Sequence, residues 1–410
     1  MKSMIRPLVL LLGLVAVLFL TGCGKGSCPT TSLTSSGTSG GTTGGVSTGG
    51  TVCGAGVNGG GGGPSAAFVF YLGASGVQTA SLSTSGTFTQ VSGLTPVTPA
   101  GGTIADLAQL GNKFLYLPFG DIQGVQALAI NNSTGALSSI NGSPFLLPSP
   151  ATADAVAVDP KGRFLFVGSE FTGFITVFQV ASDGSLTVTP GSPFSSISLS
   201  SADSIAVDGT GQFLYVGQND AALPVDVFTI DQNTGALSEL SAFPLNVAQL
   251  RTDSTGKFLF GVQIPFDSFS FATDPHVSVF AIDSTTGAPS AVAGSPFTTS
   301  APAFDVVVHP NGKFIYVNEF NLATSSPAPI EGFQVNSTSG ALTALPGSPF
   351  TGLAGAYCKM DPSGGVLVCD PNNNLDGFAV FTVNPTTGAL TNTVTPLSVA
   401  NTPWVWAVSN

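Results

Sequence analysis

The sequence predicts an all-β fold, a seven-bladed β-propeller with four antiparallel strands per blade, and three observations carry that expectation. A turn reading Thr/Ser-x-Gly-x-Leu/Phe/Pro returns along the chain with its glycine at Gly86, Gly135, Gly184, Gly235, Gly287, Gly340 and Gly388, a period of 48 to 53 residues. Short runs of β-branched and aromatic residues with alternating polarity lie between the turns, and no segment has helical periodicity. The ends of the array complement each other, since residues 67–72 match the second strand of a repeat and residues 404–408 match a first strand. A period near 50 made of short strands and Gly/Pro turns is what a propeller requires, with one blade per repeat.

The elements follow in chain order. Lys2 and Arg6 precede an apolar run of 13 residues, 8–20. That run falls short of the ~20 residues a membrane span needs and fits the core of a signal peptide. It ends in Leu20-Thr21-Gly22-Cys23, which resembles the lipobox of bacterial lipoproteins. The resemblance implies that residues 1–22 are a signal peptide and that Cys23 carries the lipid; the plainer alternative is ordinary secretory cleavage with Cys23 incidental. Gly24 does not resemble the aspartate that retains lipoproteins in the inner membrane, so a lipid anchor in the outer membrane, periplasmic or surface-facing, is expected.

Residues 24–65 are almost wholly Gly, Ser and Thr. They bury too little apolar surface to offset the entropy of ordering and read as a flexible tether after the lipidated cysteine, with a root-mean-square span of about 35 Å. The propeller is expected over residues 66–410. In its third blade the strands read as residues 155–159, 163–168, 174–180 and 185–194, the last running into one of four Gly-Ser-Pro-Phe phrases. Three strands from the front of the chain and one from the back complete the first blade, which leaves no open edge between first and last blades.

Composition limits the partners. Charged residues make up 8% of the chain, Lys and Arg number 10, and the net charge is −12, so the basic stripe that phosphate backbones require cannot be built and nucleic acid is excluded. Beyond Cys23, four cysteines remain. Cys358 and Cys369 flank the turn Asp361-Pro362-Ser363-Gly364-Gly365 symmetrically, so a hairpin centred there sets them opposite each other within disulfide reach. Cys28 and Cys53 in the tether form a second candidate pair, and export permits both bonds. Free thiols at all four positions are the alternative.

Two phrases make the likeness more specific. Asp159-Pro160-Lys161-Gly162-Arg163-Phe164-Leu165-Phe166-Val167 and His309-Pro310-Asn311-Gly312-Lys313-Phe314-Ile315-Tyr316-Val317-Asn318-Glu319 resemble the repeats of the seven-bladed lactonase family, typified by bacterial 6-phosphogluconolactonase. The Thr-Gly-Ala-Leu turns at 134–137, 234–237 and 387–390 are similar to that family's as well. The resemblance covers the whole propeller and implies hydrolysis of a sugar lactone at one channel mouth, without a cofactor. Members acting on phosphorylated sugar acids resemble one another in an Arg-His pair at the start of the innermost strand. Here the sixth blade holds Ala303, Phe304 and Asp305 in those places, and an aspartate repels phosphate.

Lactone hydrolysis needs a base that activates water and a donor for the oxyanion. Glu319 and Glu170 are the candidate bases. Arg251 and Lys359 are the candidate donors, because they stand on innermost strands where Ala157, Ala206 and Val307 stand in sister blades. A cation there is costly unless a carboxylate, an anion or a ligand meets it. Asp154, Asp203 and Asp305, with Asp106, mark the start of first strands, and Asp220 and Asp370 follow second strands; together with His276 they are expected on one rim, as a ligand-binding edge or as turn caps.

His309 replaces a turn aspartate and reads as structural. Two separated histidines do not make a zinc site, and the oxygen-rich run from Asp370 through Asn372 and Asn374 to Asp376 has Leu375 where a calcium loop needs glycine, so no metal is expected. Gly37-Thr38-Ser39-Gly40-Gly41 matches a serine-hydrolase pattern but lies in the tether, without the strand and helix that motif requires. The expected function is a lipid-anchored, monomeric binding module for a small sugar or lactone or for an envelope protein; a lactone hydrolase and an architectural envelope protein are the alternatives.

Overall fold

Each repeat folds into one antiparallel sheet whose strands follow sequence order, and the first strands of successive blades neighbour one another round the central channel. The computed structural model describes residues 65–410 apart from 74–75, 84–87, 102–105, 121, 149–151, 197, 219–221, 264–274, 322–325, 355–356, 371–377, 393–405 and 410. These belong to the second of the two units into which the chain divides, Gly62–Asn410. The leader, Cys23, Cys28, Cys53 and the tether up to residue 64 lie outside the described residues, as do Asp220 and the run 371–377.

The third blade is typical, with strands Ala155–Val158, Phe164–Gly168, Ile175–Val180 and Leu186–Val188. The first blade joins both ends of the chain. Ser65–Gly73, Gly76–Ser83 and Phe88–Gln90 supply three strands, and Trp406–Ser409 pairs with the first of them from Phe68↔Ser409 to Tyr71↔Trp406. The ring therefore closes as its sequence predicts.

Alternation along the strands puts apolar side chains on both faces of each sheet, and neighbouring blades bury them against each other. An apolar cluster sits at every junction: Phe164, Phe166 and Val177 of the third blade meet Leu214, Val216 and Phe228 of the fourth. At the closing junction Val69, Tyr71 and Val408 meet Val366, Val368 and Val380 of the seventh blade. Each fully buried Phe or Val contributes about 1.5–3 kcal/mol, so the junctions dominate the stability of the ring.

In the described repeats the turn glycine fastens a blade to the one before it. Gly235, at φ +74°, lies so close to Phe164 of the preceding blade that a Cβ would fall 2.7 Å from the ring; Gly184 stands in the same relation to Phe114 and Gly340 to Phe258. Where strand two carries tyrosine, its hydroxyl adds a hydrogen bond to the glycine carbonyl of the next blade, as in Tyr116 to Gly184 (3.1 Å), Tyr215 to Gly287 (2.8 Å) and Tyr316 to Gly388 (2.7 Å).

The fourth strand of the third blade is shorter than its alternation predicts. It ends at Val188, and the chain turns so that Phe194 bridges back to Ile175 on the third strand. The serine of Gly-Ser-Pro-Phe accounts for the break: Ser192 Oγ accepts the Val177 N–H at 2.8 Å, in place of a ladder carbonyl. Ser143, Ser295 and Ser348 do the same for Ala127, Val279 and Gly332. The fourth blade lacks the phrase, and its last strand runs on from Leu237 to Phe243.

Candidate functional site

The loops that enter first strands and those that leave second strands share one face of the disc, and two rim carboxylates there, Asp106 and Asp154, are engaged by neighbouring N–H and hydroxyl groups. Asp154 Oδ2 accepts the Thr152 hydroxyl at 2.7 Å and the Glu170 N–H at 2.9 Å. Asp106 accepts the Leu107 N–H at 2.8 Å and reaches the Val156 N–H of the next blade at 3.3 Å. The Asp203 N–H extends its strand by donating to the Gly217 carbonyl. His276 opens the third strand of the fifth blade, opposite Thr298. Glu170 is buried beside Asp154, in the third blade and apart from the other candidates.

In the sixth blade two carboxylates converge on one serine. Glu319 is fully buried; one oxygen accepts the Ser300 N–H at 3.1 Å and the other its hydroxyl at 2.7 Å, while Glu331 accepts the same N–H at 3.0 Å. Burial, opposed by the Ser300 hydroxyl and reinforced by the Glu331 charge, pushes the Glu319 carboxyl up to about 7. The fourth blade builds the same clamp from different residues. There Gln218 and Asp226 hold the incoming loop at Ser196, Ser198 and Ser200, and the Gln218 amide donates to Asp226 at 3.4 Å. In the second blade Gln126 alone holds Thr98 and Ala100. Glu319 and Glu331 thus stand where other blades pin the loop that enters the innermost strand.

Glu331 is absent from the sequence-based candidates. Its signal was a charged or amide side chain near the start of a third strand, matching Asp226 and Gln126, a position that only the register of the sheets makes equivalent.

The two cations have different surroundings. Arg251 Nη2 lies 2.9 Å from Asp305 Oδ1, and its Nη1 donates to the Leu250 carbonyl at 2.8 Å. Asp305 also accepts the Val306 N–H at 2.8 Å. The aspartate that stands in the Arg-His place is therefore neutralised from the fifth blade, while Phe304 beside it packs edge-on against Tyr357 with ring centres 4.9 Å apart.

Lys359 instead lines a cavity of about 370 Å³ between the innermost strands of the second, first and seventh blades. Leu107, Gln109, Ala407, Val408 and Met360 share its wall, and Gly111 and Pro362 place it toward the face opposite the acidic rim. Among the described residues Lys359 makes no ion pair. The strand that carries it is clipped by the Cys358–Cys369 disulfide, which joins directly opposed residues as the spacing predicts.

The four residues named for hydrolysis thus occupy four separate settings. No three His, Cys, Asp or Glu side chains gather as metal ligands among the described residues. His309 takes the turn position that Asp208 and Asp253 fill elsewhere; its Nδ1 accepts the Asn311 N–H at 3.1 Å, and burial pushes its pKa down.

A closed ring of seven four-stranded blades on a period near 50 defines a β-propeller of the lactonase type. The family described as lactonase, 7-bladed beta-propeller, matches residues 107–260 and 273–407, and the chain belongs to it. Its fold is similar to that of a Bacteroides uniformis protein provisionally named a 6-phosphogluconolactonase, at 19% identity and TM-score 0.63, over 83% of this chain and 99% of that one. It is also similar to the periplasmic gluconolactonase of Pseudomonas aeruginosa, at 18% identity and TM-score 0.61, over 83% and 98%. No curated protein matches the chain in sequence.

Proposed function

We propose that the chain is a lipid-anchored, extracytoplasmic member of the lactonase propellers that binds a small ligand in its central channel and does not hydrolyse it. The observation that carries this reading is the state of the catalytic candidates. Glu319 is sealed under Ser300, Glu170 is buried in the third blade and Arg251 is neutralised by Asp305, so no base faces the open site where Lys359, the remaining donor, lies. The channel keeps a cavity with an uncommitted lysine, which is the equipment of a binding site. The apolar leader and the lipobox-like Leu20-Thr21-Gly22-Cys23 support export and anchoring, and the fold is shared with a periplasmic gluconolactonase.

Hydrolysis is the second reading, favoured by a Glu319 carboxyl that titrates at about 7, where general acid-base groups work best. A panel of sugar lactones given to the purified protein separates the two. Turnover that disappears in Glu319→Gln and Arg251→Ala would overturn the binding reading, whereas an inert protein supports it. Metabolic labelling with a fatty acid, present in the wild type and lost in Cys23→Ser, tests the anchor.

A further inference from the structure

The cavity beside Lys359 has a chemical profile of its own. Leu107, Val408 and Met360 make its wall apolar, and no carboxylate lines it among the described residues. Lys359 supplies its positive charge. Sister blades place Ala157, Ala206 and Val307 at this position, and a half-buried ammonium there is unfavourable without a counter-charge. The fifth blade meets that demand within the protein, since Asp305 of the next blade answers Arg251. The repeat supplies Lys359 with no equivalent aspartate: the first blade reads Val405 two residues before Ala407, where the sixth blade reads Asp305 two residues before Val307. In a chain with 22 acidic and 10 basic residues, this cation makes no ion pair among the described residues.

Gln109 adds the second polar group. Its Nε2 is held by the Gly111 carbonyl at 2.7 Å, which leaves Oε1 as the one oxygen acceptor among the side chains of the wall. An occupant that satisfies both groups needs an anionic oxygen for Lys359, a hydrogen-bond donor for Gln109 and an apolar body for Met360, Leu107 and Val408. Phosphate fits poorly, because Lys359 is the one charged donor among the described wall residues and the apolar wall desolvates the phosphate oxygens that Lys359 does not reach. The ~370 Å³ of space lies within the range of small-molecule sites.

We propose that this cavity, on the channel mouth opposite the acidic rim, binds a small hydroxycarboxylate with an apolar body, its carboxylate on Lys359 and its hydroxyl on Gln109. The inference rests on the reading of the protein as a channel binder and names the ligand class of that site.

Calorimetric titration of the full chain tests it with four probes: mandelate, phenylacetate, gluconate and inorganic phosphate. Mandelate is expected to bind most tightly, phenylacetate more weakly for want of the hydroxyl, and gluconate and phosphate least. Lys359→Met, with unchanged thermal unfolding, is expected to weaken mandelate about tenfold or more, as loss of a charge-assisted hydrogen bond does. Gln109→Leu is expected to bring mandelate down to the level of phenylacetate. Equal affinity in Lys359→Met, gluconate binding as tightly as mandelate, or no binding of any probe by the wild type overturns the proposal. Lactone turnover by the same preparation would instead overturn the binding reading, so the two failures are told apart.

Discussion

Arg251 and Asp305 join the innermost strands of the fifth and sixth blades, 2.9 Å apart, and their exposure is unequal: the arginine side chain is 35% exposed and the aspartate 9%. Removal of either partner therefore has different consequences. Arg251→Met leaves a nearly buried carboxylate without its counter-ion, while Asp305→Ala leaves a guanidinium that water can reach. Arg251→Met is expected to cost about 2 kcal/mol and Asp305→Ala about 1 kcal/mol, most of the latter from the lost Val306 cap. Adding Asp305→Asn to Arg251→Met is expected to restore most of the loss. Denaturant unfolding of the set checks this, and equal losses in the two single variants would contradict it.

Glu319 makes stability fall as the pH rises. Its folded carboxyl titrates at about 7 against an ordinary value of 4.5, so between these values the folded state holds a proton that the unfolded state has released. The contribution is complete below about pH 4.5 and is lost as pH passes 7, to the extent of about 3 kcal/mol. Glu319→Gln copies Gln218 of the fourth blade, a permanent donor toward the partner carboxylate. It is expected to match the wild type at pH 5 and to exceed it at pH 8 in thermal unfolding.

His309 acts in the opposite sense. Burial holds its pKa below the ordinary 6.5, so the unfolded chain takes up the proton first, and stability declines as the pH falls below about 6.5. His309→Asp restores the carboxylate that sister turns use, as when Asp208 accepts the Gln212 and Phe213 N–H groups at 2.7 Å. The unfolding temperature of the variant relative to the wild type is expected to rise from pH 6.5 to pH 5.5, a comparison in which the Glu319 contribution common to both cancels.

The turn glycines should separate backbone strain from collision. Gly93, at φ +79°, has open space around its missing Cβ, so Gly93→Ala is expected to cost about 1 kcal/mol for the left-handed backbone alone. Gly235→Ala adds an overlap with Phe164, buried in the junction with the preceding blade, and is expected to cost about 3 kcal/mol or more. Similar losses in the two would show that the glycine-on-phenylalanine contact contributes little.

The ring, its closure and the Cys358–Cys369 bond were legible because each is written as spacing, and spacing survives without knowledge of contacts. Phe194 was misread as strand because its alternation continues, while a serine side chain has already replaced the ladder. The Arg251–Asp305 pair was only half legible. The cation's position followed from the repeat, but its partner depends on a register shift between Ala303 and Asp305 that no local pattern announces. Glu331 and the cavity at Lys359 arise where separate strands meet, so single segments carry no trace of them.

The closing strand offers a test of the ring as a whole. Trp406–Ser409 pairs with Phe68–Tyr71 and brings Ala407 and Val408 into the clusters on either side, so two junctions depend on four residues. Its removal bares the edge of Ser65–Gly73, whose residues read Ser-Ala-Ala-Phe-Val-Phe-Tyr-Leu-Gly, an uncharged apolar run able to pair with a second chain. A chain ending at residue 405 is therefore expected to aggregate, whereas a chain lacking only Asn410 is expected to elute as the wild type does in size-exclusion chromatography. A synthetic peptide covering residues 404–410, added during refolding, is expected to restore part of the soluble fraction, because it supplies the same edge without the covalent link. A soluble truncated chain with unchanged thermal unfolding would mean that the junction clusters alone hold the ring closed.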